Sequence, residues 1–402
     1  MTSGQSTEKS REQASDMGQG ATLGAISLLM ALTALGQLAT NIVVPSLRDI
    51  AAAIRLQPES SGLILSMVLL GLAVGQLIVG PLSDRHGRRP VLLAGLAVYF
   101  VGSLAATFAP NGFVLLFGRL MQGMGASAGL ALPRAILRDR YKGQHFLHAT
   151  ALLTMSMSVT PGLAPIVGSF VSGHFGWRAS LAVSLAAGLA TIIATLIGLD
   201  ETHHNRHSGG FLAVLGSYKK VLGNRIFLAY AIVAGAGIGG AYAEVAVAER
   251  FYTGEFAWSS LRLSLATACY AAAFVIGNLL SGHLKSNIRM RIGIILMILA
   301  PALLIGLLAV GVTSPWAMLC LIVLSQIGLG FMMAAAISHS LMAVEHASGT
   351  ASAVLGAIHM LIGASGAALV AAIPLQASWA IPVTMLGFAL ISALALAIAE
   401  SP

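Results

Sequence analysis

Long apolar runs separated by short polar breaks repeat along nearly the whole chain, over roughly 22–45, 61–82, 90–108, 112–134, 147–172, 179–199, 225–249, 259–281, 291–311, 315–338, 349–373 and 377–399. Each run is about 20 residues, the length at which an α-helix crosses the hydrocarbon of a bilayer. A backbone in lipid has to satisfy its own hydrogen bonds, so uninterrupted runs of this kind read as helices. The pattern predicts an all-α integral membrane protein with twelve transmembrane helices. The longest polar break, from about Asp200 to Asn224, falls after the sixth run. It divides the chain into an N-terminal six-helix bundle over 21–199, a linker over 200–224 and a C-terminal six-helix bundle over 225–402, preceded by a polar tail over 1–20.

The two halves echo each other. Gly80-x-Leu82 with trailing Arg88 and Arg89 returns, worn, as Gly282-His283-Leu284 with Arg289 and Arg291. Gln122-Gly123-Met124-Gly125 in the fourth run returns as Gln326-Ile327-Gly328-Leu329-Gly330 in the tenth. A repeat at half the chain length predicts two pseudo-symmetric bundles related by an axis along the membrane normal, with a substrate site between them near the midplane.

Composition removes the soluble alternatives. With 57% hydrophobic and 9% charged residues among 402, no globular core could hide the apolar surface. The net charge of +8 invites a nucleic-acid reading, which the placement of the basic residues excludes. If both termini are cytoplasmic, only Arg48, Arg55, Arg178, Arg250 and Arg262 fall outside and Arg119 falls inside the membrane. The remaining Lys and Arg residues crowd the inner side, as the positive-inside rule requires. Residues 1–20, rich in Ser, Gln and Glu, are expected to be a disordered cytoplasmic tail. The first run exceeds the apolar core of a signal peptide and is expected to be retained. Cys269 and Cys320 lie within runs and are expected to be buried free thiols. His203, His204 and His207 match no closed ligand set, so the linker is expected to be solvated and without metal.

Polar groups inside hydrocarbon are costly, and each is expected to face a cavity or bond a neighbouring helix. Arg119 must face the bundle interior, where it can attract an anion, tune a carboxyl group, or simply bond backbone carbonyls of the first span. Gln37, Thr40 and Asn41 share one helix face and are expected to line the cavity. Gln122, Met124, Tyr242, Gln326 and Met333 are the further cavity candidates, with the methionines supplying adaptable walls. Glu244 is the conspicuous carboxyl inside a span. In a low-dielectric cavity it can hold either a proton or a cationic substrate, unless it is an ordinary wetted residue or pairs with Arg250. His359 can relay protons or serve as a satisfied bundle histidine. Pro161 and Pro165, with Gly162, Ala164 and Gly168, predict a kinked, closely packed fifth helix. Gly125-Ala126-Ser127-Ala128-Gly129 and the glycines of 235–240 mimic hydrolase and dinucleotide motifs. Both lack the strand context those motifs need and read as helix-packing faces.

The stretch Gly80-Pro81-Leu82-Ser83-Asp84-Arg85-His86-Gly87-Arg88-Arg89-Pro90 resembles the signature loop between the second and third helices of the major facilitator superfamily. Arg119 with Gly123 and Gly125 resembles that superfamily's fourth-helix element, implicated in proton transfer in proton-coupled members. Pro161 to Gly168 resembles the antiporter motif of drug exporters. Its departures, Ala164 before Pro165 and Ser169 after Gly168, are those of the bicyclomycin- and chloramphenicol-resistance branch. Leu38 to Pro45 resembles the same branch, in which an aspartate is common at the position of Asn41. An amide cannot titrate, so a proton carrier would have to lie elsewhere, with Glu244 the candidate.

The resemblance implies a monomeric multidrug/proton antiporter of the bacterial inner membrane, both termini cytoplasmic. Its partners would be a small-molecule substrate, protons and membrane lipid, with no nucleic acid, metal or cofactor and no enzymatic activity. The Asp84, Arg85, Arg88 and Arg89 cluster would latch the inner side when the outer side is open. An exporter or importer of one endogenous metabolite, such as a siderophore, metallophore or amino-acid-derived compound, and a non-transporting sensor are the rival readings.

Overall fold

Twelve helices long and apolar enough to span a membrane form the molecule. They are α1 (Gly24–Ala53), α2 (Gly62–His86), α3 (Arg88–Thr107), α4 (Gly112–Arg140), α5 (His148–Phe175) and α6 (Trp177–Gly198). After the linker helix Phe211–Leu222 come α7 (Arg225–Glu255), α8 (Ser260–Ser281), α9 (Ser286–Ala309), α10 (Pro315–Met342), α11 (Gly349–Ala372) and α12 (Ala377–Glu400). The computed structural model describes residues 24–56, 61–202, 211–344 and 348–401. The N-terminal tail and the three linker histidines lie outside them.

Several helices outrun the apolar runs that announced them. α4 continues past Pro133 to Arg140, and the basic residues of its last turn, Arg138 and Arg140, suit the negative end of the helix dipole. Its start is fixed by Asn111, whose side chain accepts the Val114 N–H at 3.0 Å. α7 runs to Glu255 because its last six residues, Arg250–Glu255, widen into a π turn instead of ending the helix.

Glycines set how closely the helices approach. A Cβ on Gly71 would strike the backbone of Leu120 and Met124, and one on Gly123 would strike the Val68 carbonyl, so α2 and α4 touch backbone to backbone. In the second half Gly277 and Gly330 do the same for α8 and α10, against Ile327 and Phe274. Gly95 and Gly102 press α3 onto α4, as Gly293 presses α9 onto α10 through Gly328. The repeat seen in the sequence is thus a repeat of contact geometry. Close approach through small residues is what drives helix association where lipid supplies no hydrophobic force.

The halves meet along two seams. α2 crosses α11 where Gln76 presses on Gly356 and Gly62 meets the Ala367 carbonyl. α5 crosses α8 where Gly162 faces Ala268 and Ala271 and the Ser264 hydroxyl donates to the Pro165 carbonyl at 2.9 Å. Large apolar side chains such as Phe113, Phe170, Ile197 and Leu279 cover the outside of the bundle. Cys269 and Cys320 also lie exposed on that outer surface and are not buried as the sequence suggested. A thiol is apolar enough to face hydrocarbon as readily as a protein core.

Candidate functional site

A cavity of about 970 Å³ lies between the halves. α5 contributes Thr154, Met157, Ser158, Pro161 and Pro165, and α8 contributes Thr267, Tyr270, Ala271, Phe274 and Asn278. Both sets follow the spacing of one helix face, so each seam helix turns a full stripe to the cavity. The wall reaches Asp84, Arg88 and Arg138 at the ends of α2, α3 and α4, and Leu341 and Gly349 at the loop joining α10 to α11. This end, which carries the arginine-rich α2–α3 turn, is here called the basic face.

The opposite, far face is sealed by contacts between the halves. The Arg48 N–H donates to the Glu249 carboxyl at 2.5 Å. Within the N-terminal half, Gly168 of α5 lies against the Ile42 carbonyl of α1. Behind the seal, the Tyr252 and Tyr270 hydroxyls share a 2.5 Å hydrogen bond, and Trp258 stacks on Tyr252 with ring centroids 4.7 Å apart.

Of the sequence candidates, Gln37, Asn41, Tyr242, Gln326, Met333 and His359 line the cavity. Asn41 donates to the Gln37 carbonyl at 2.9 Å, which holds both amides on one wall. Thr40 turns away and bonds the Gly36 carbonyl. Met124 packs its backbone against Gly71 and Gly75 of α2. Arg119 is fully buried in the N-terminal half, behind the wall. Its guanidinium donates to the Ala39 carbonyl at 2.9 Å, the Ile64 carbonyl at 3.3 Å and the Gln122 side chain at 2.5 Å. Gln122 in turn donates to Ser103 at 2.8 Å. This chain of bonds ties α1, α2, α3 and α4 together, which explains why Arg119 and Gln122 face away from the cavity.

Glu244 is also fully buried and does not line the cavity. Neither of its carboxyl oxygens has a hydrogen-bond partner among the described residues. Arg250 reaches the Leu375 carbonyl instead of Glu244. Glu244 lies close enough to Tyr252 and Tyr270 for its charge to bear on both. Tyr270 lines the cavity, as do Tyr242 and Val245 beside Glu244 on α7.

At the basic face Asp84 pairs with Arg88 at 2.5 Å, and Arg88 also reaches Asp139 at 3.4 Å. Gly87, with φ of 101°, reverses the chain between α2 and α3. The first N–H groups of α3, on Arg88 and Arg89, donate to the Glu201 carboxylate at 3.0 and 3.3 Å, where the positive end of the helix dipole favours an anion. Arg89 also donates to the Leu196 carbonyl of α6. The Asp84 and Arg88 ion pairs therefore lie within one half. A Cβ added at Gly80 would meet nothing within 4 Å. Pro161 and Pro165 face the cavity, Gly162 the α8 seam, and Ala164 is buried.

The family model described as Major Facilitator Superfamily matches residues 26–247. The chain belongs to the Major Facilitator Superfamily. It is 28% identical over 368 residues to multidrug resistance protein D of Escherichia coli strain K12, covering 90% of this chain and 93% of that one. It is 28% identical over 380 residues to a chloramphenicol resistance protein of Pseudomonas aeruginosa, covering 90% and 88%. These relatives fit the drug/proton antiporter branch that the motifs resemble. Among solved structures, the bacterial homolog of the human lysosomal transporter Spinster, inward-facing and unoccupied, aligns with a TM-score of 0.73 at 15% identity, covering 94% and 96%. The xylose transporter XylE of E. coli, partially occluded and inward open, aligns with a TM-score of 0.71 at 13% identity, covering 92% and 97%. At that identity the likeness shows the superfamily fold and nothing finer.

Sequence reasoning missed four features of this superfamily member's site. Arg134 and Arg138 sat at or beyond the end of the fourth apolar run, yet the longer α4 carries both into the cavity wall with Leu130, at steps of four residues. Tyr270 and Asn278 belong to a stripe on α8 that a helical plot of that run displays. Glu249 was overlooked because its run appeared to end there. Tyr218 of the linker helix reaches the Leu77 carbonyl at 2.6 Å. Desolvation and the nearby Asp84 push its phenol up from the usual range, so it remains a donor across the linker.

Proposed function

We propose that the protein is a secondary active exporter of amphiphilic small molecules that works by alternating access in exchange for protons. The observation that carries this reading is the large, mostly apolar cavity between the halves, reaching the basic face and sealed at the far face. By the positive-inside rule the basic face is cytoplasmic. The conformation described is then the one that loads cargo from the cell interior, and both termini are cytoplasmic in a bacterial inner membrane. The bundles over 21–199 and 225–402 rock against each other along the α2–α11 and α5–α8 seams, and one chain suffices for the cycle. Closure of the basic face brings the Asp84, Arg85, Arg88 and Arg89 cluster of one half against the other.

Glu244 is the proton site in this scheme. A carboxyl in apolar surroundings without a hydrogen-bond partner is held most cheaply as the neutral acid. Opening of the far face would wet it and let the proton exchange. Since Glu244 is buried and does not line the cavity, it acts on the cycle through the protein and does not compete for the cargo by direct contact. Arg119 supports the cycle by fixing α1, α2 and α4 as one body.

The test is substrate-driven proton flux in proteoliposomes. Glu244→Gln should abolish transport driven by a pH gradient while leaving binding of neutral compounds intact. Coupling unchanged in that variant would remove Glu244 from the mechanism.

A further inference from the structure

Charged side chains on the cavity wall are unevenly balanced. Asp84, Arg88, Arg134 and Arg138 line it, and Asp84 is already paired with Arg88. Neither Arg134 nor Arg138 pairs with a carboxylate among the described residues. Arg134 is the deeper of the two, exposed to the cavity on α4 opposite the α5 stripe. Its guanidinium donates to the thioether of Met157 at 3.2 Å, the weakest acceptor a protein side chain offers. The neighbouring Thr154 and Ser158 hydroxyls spend their protons on backbone carbonyls one turn back. Their oxygens face the wall as acceptors and leave Arg134 the strong donor there. Among the described residues the wall carboxylate, Asp84, is paired with Arg88, and Glu244 lies behind the surface.

Arg134 is exposed to the cavity, so its guanidinium is solvated while the cavity is open and loses that solvation when the halves close over a cargo. A cationic cargo would meet repulsion at this wall, and a neutral one would leave the charge unanswered. A carboxylate matches the planar fork of the guanidinium with two parallel hydrogen bonds and displaces only a thioether contact. Arg88 at the basic face is answered by Asp84 and Asp139, which leaves Arg138 and then Arg134 as the cations on the wall that an anion entering from that side meets. Below Arg134 the wall becomes apolar and aromatic, with Phe274, Leu329 and Met333. The order along the cavity is thus a charged anchor and then a deformable apolar pocket.

We propose that the cargo is an amphiphilic carboxylate, an apolar body bearing one acidic group, and that Arg134 is the residue that docks its carboxylate. The proposal rests on the transport reading of the cavity and adds to it the chemical class of the cargo. It also separates the two charges of the cycle: the anion sits on Arg134 in the N-terminal half, while the proton sits on Glu244 in the C-terminal half. The two need not contact each other.

The experiment uses the full chain in nanodiscs, with 1-pyrenebutyrate and its methyl ester as fluorescent probes that differ only in the charge, and empty nanodiscs as the blank. The native protein should bind the carboxylate at least about tenfold more tightly than the ester, the scale expected for a charge-assisted bidentate contact. Arg134→Gln should erase that preference chiefly by weakening carboxylate binding, and Arg134→Lys should keep part of it. Raising the salt concentration should weaken carboxylate binding to the native chain and leave ester binding alone; this measurement needs no variant. Equal affinity of the native protein for the two probes, a preference that survives Arg134→Gln, or no binding of either probe would overturn the proposal. Counterflow of labelled pyrenebutyrate in proteoliposomes tests the transport reading separately. Selective binding without counterflow would refute transport and leave Arg134 as an anion site.

Discussion

At the scale of single residues, Arg119 shows how a buried charge can serve structure first. Three of its five N–H donors are spent on the Ala39 and Ile64 carbonyls and on Gln122, and the whole guanidinium is buried behind the cavity wall, out of reach of a substrate there. Hydrogen bonds to charged groups are worth about 1.5–3 kcal/mol each, and removing one partner also strands the other. Arg119→Ala should therefore lower the melting temperature of the purified protein, and Arg119→Lys should lower it less, because an ammonium can keep one carbonyl. A melting temperature unchanged in Arg119→Ala would show that the network carries no stability. The sequence revealed that Arg119 must face inward, since a charge in lipid is costly. Carbonyls of the first span were among the partners the sequence suggested, and Ala39 supplies such a carbonyl; the Ile64 carbonyl and the Gln122 side chain were not legible, because the sequence does not say which groups of a neighbouring helix come within reach. Arg134 was hidden for the opposite reason: a basic residue at the end of an apolar run looks like an ordinary inner-face charge until the helix is known to continue.

At the scale of helices, apolar periodicity located all twelve spans, and the half-length repeat anticipated the glycine contacts that pair α2 with α4 and α8 with α10. The ends were less legible, since π turns and polar extensions such as Arg250–Glu255 are supported by packing and not by hydropathy. Two glycines of α2 now separate into different roles. Gly71 has Leu120 and Met124 backbone atoms where a Cβ would go, whereas Gly80 has open space. Overpacking costs about 1–3 kcal/mol, so Gly71→Ala should depress the melting temperature. Gly80→Ala should not, and the gain in helix propensity of up to about 1 kcal/mol should offset any loss. If Gly80→Leu then slows transport without lowering stability, the space beside Gly80 is filled when the basic face closes. Equal destabilisation by the two alanines would sink this distinction.

For the whole molecule, the cycle requires that contacts sealing the far face be strong enough to hold and weak enough to break. Glu249 is a polar link between the halves there, accepting the Arg48 N–H, beside the Ser264 to Pro165 bond of the α5–α8 seam and the aromatic packing around Tyr252. A bond to a carboxyl group is worth about 1.5–3 kcal/mol, which shifts a two-state equilibrium by roughly ten- to a hundredfold. Glu249→Ala should therefore raise the population open at the far face, while Glu249→Gln, which retains a carbonyl acceptor, should raise it less. Ser46 reports the change well because it is fully buried beneath the seal. A cysteine placed there in a Cys269→Ala, Cys320→Ala background can be labelled with a membrane-impermeant maleimide applied to whole cells. Labelling should quicken by about tenfold in Glu249→Ala if one such bond is lost. A rate equal to that of the unaltered seal would mean that the aromatic packing around Tyr252 and Trp258, and not the Arg48 to Glu249 bond, sets the balance between the two faces.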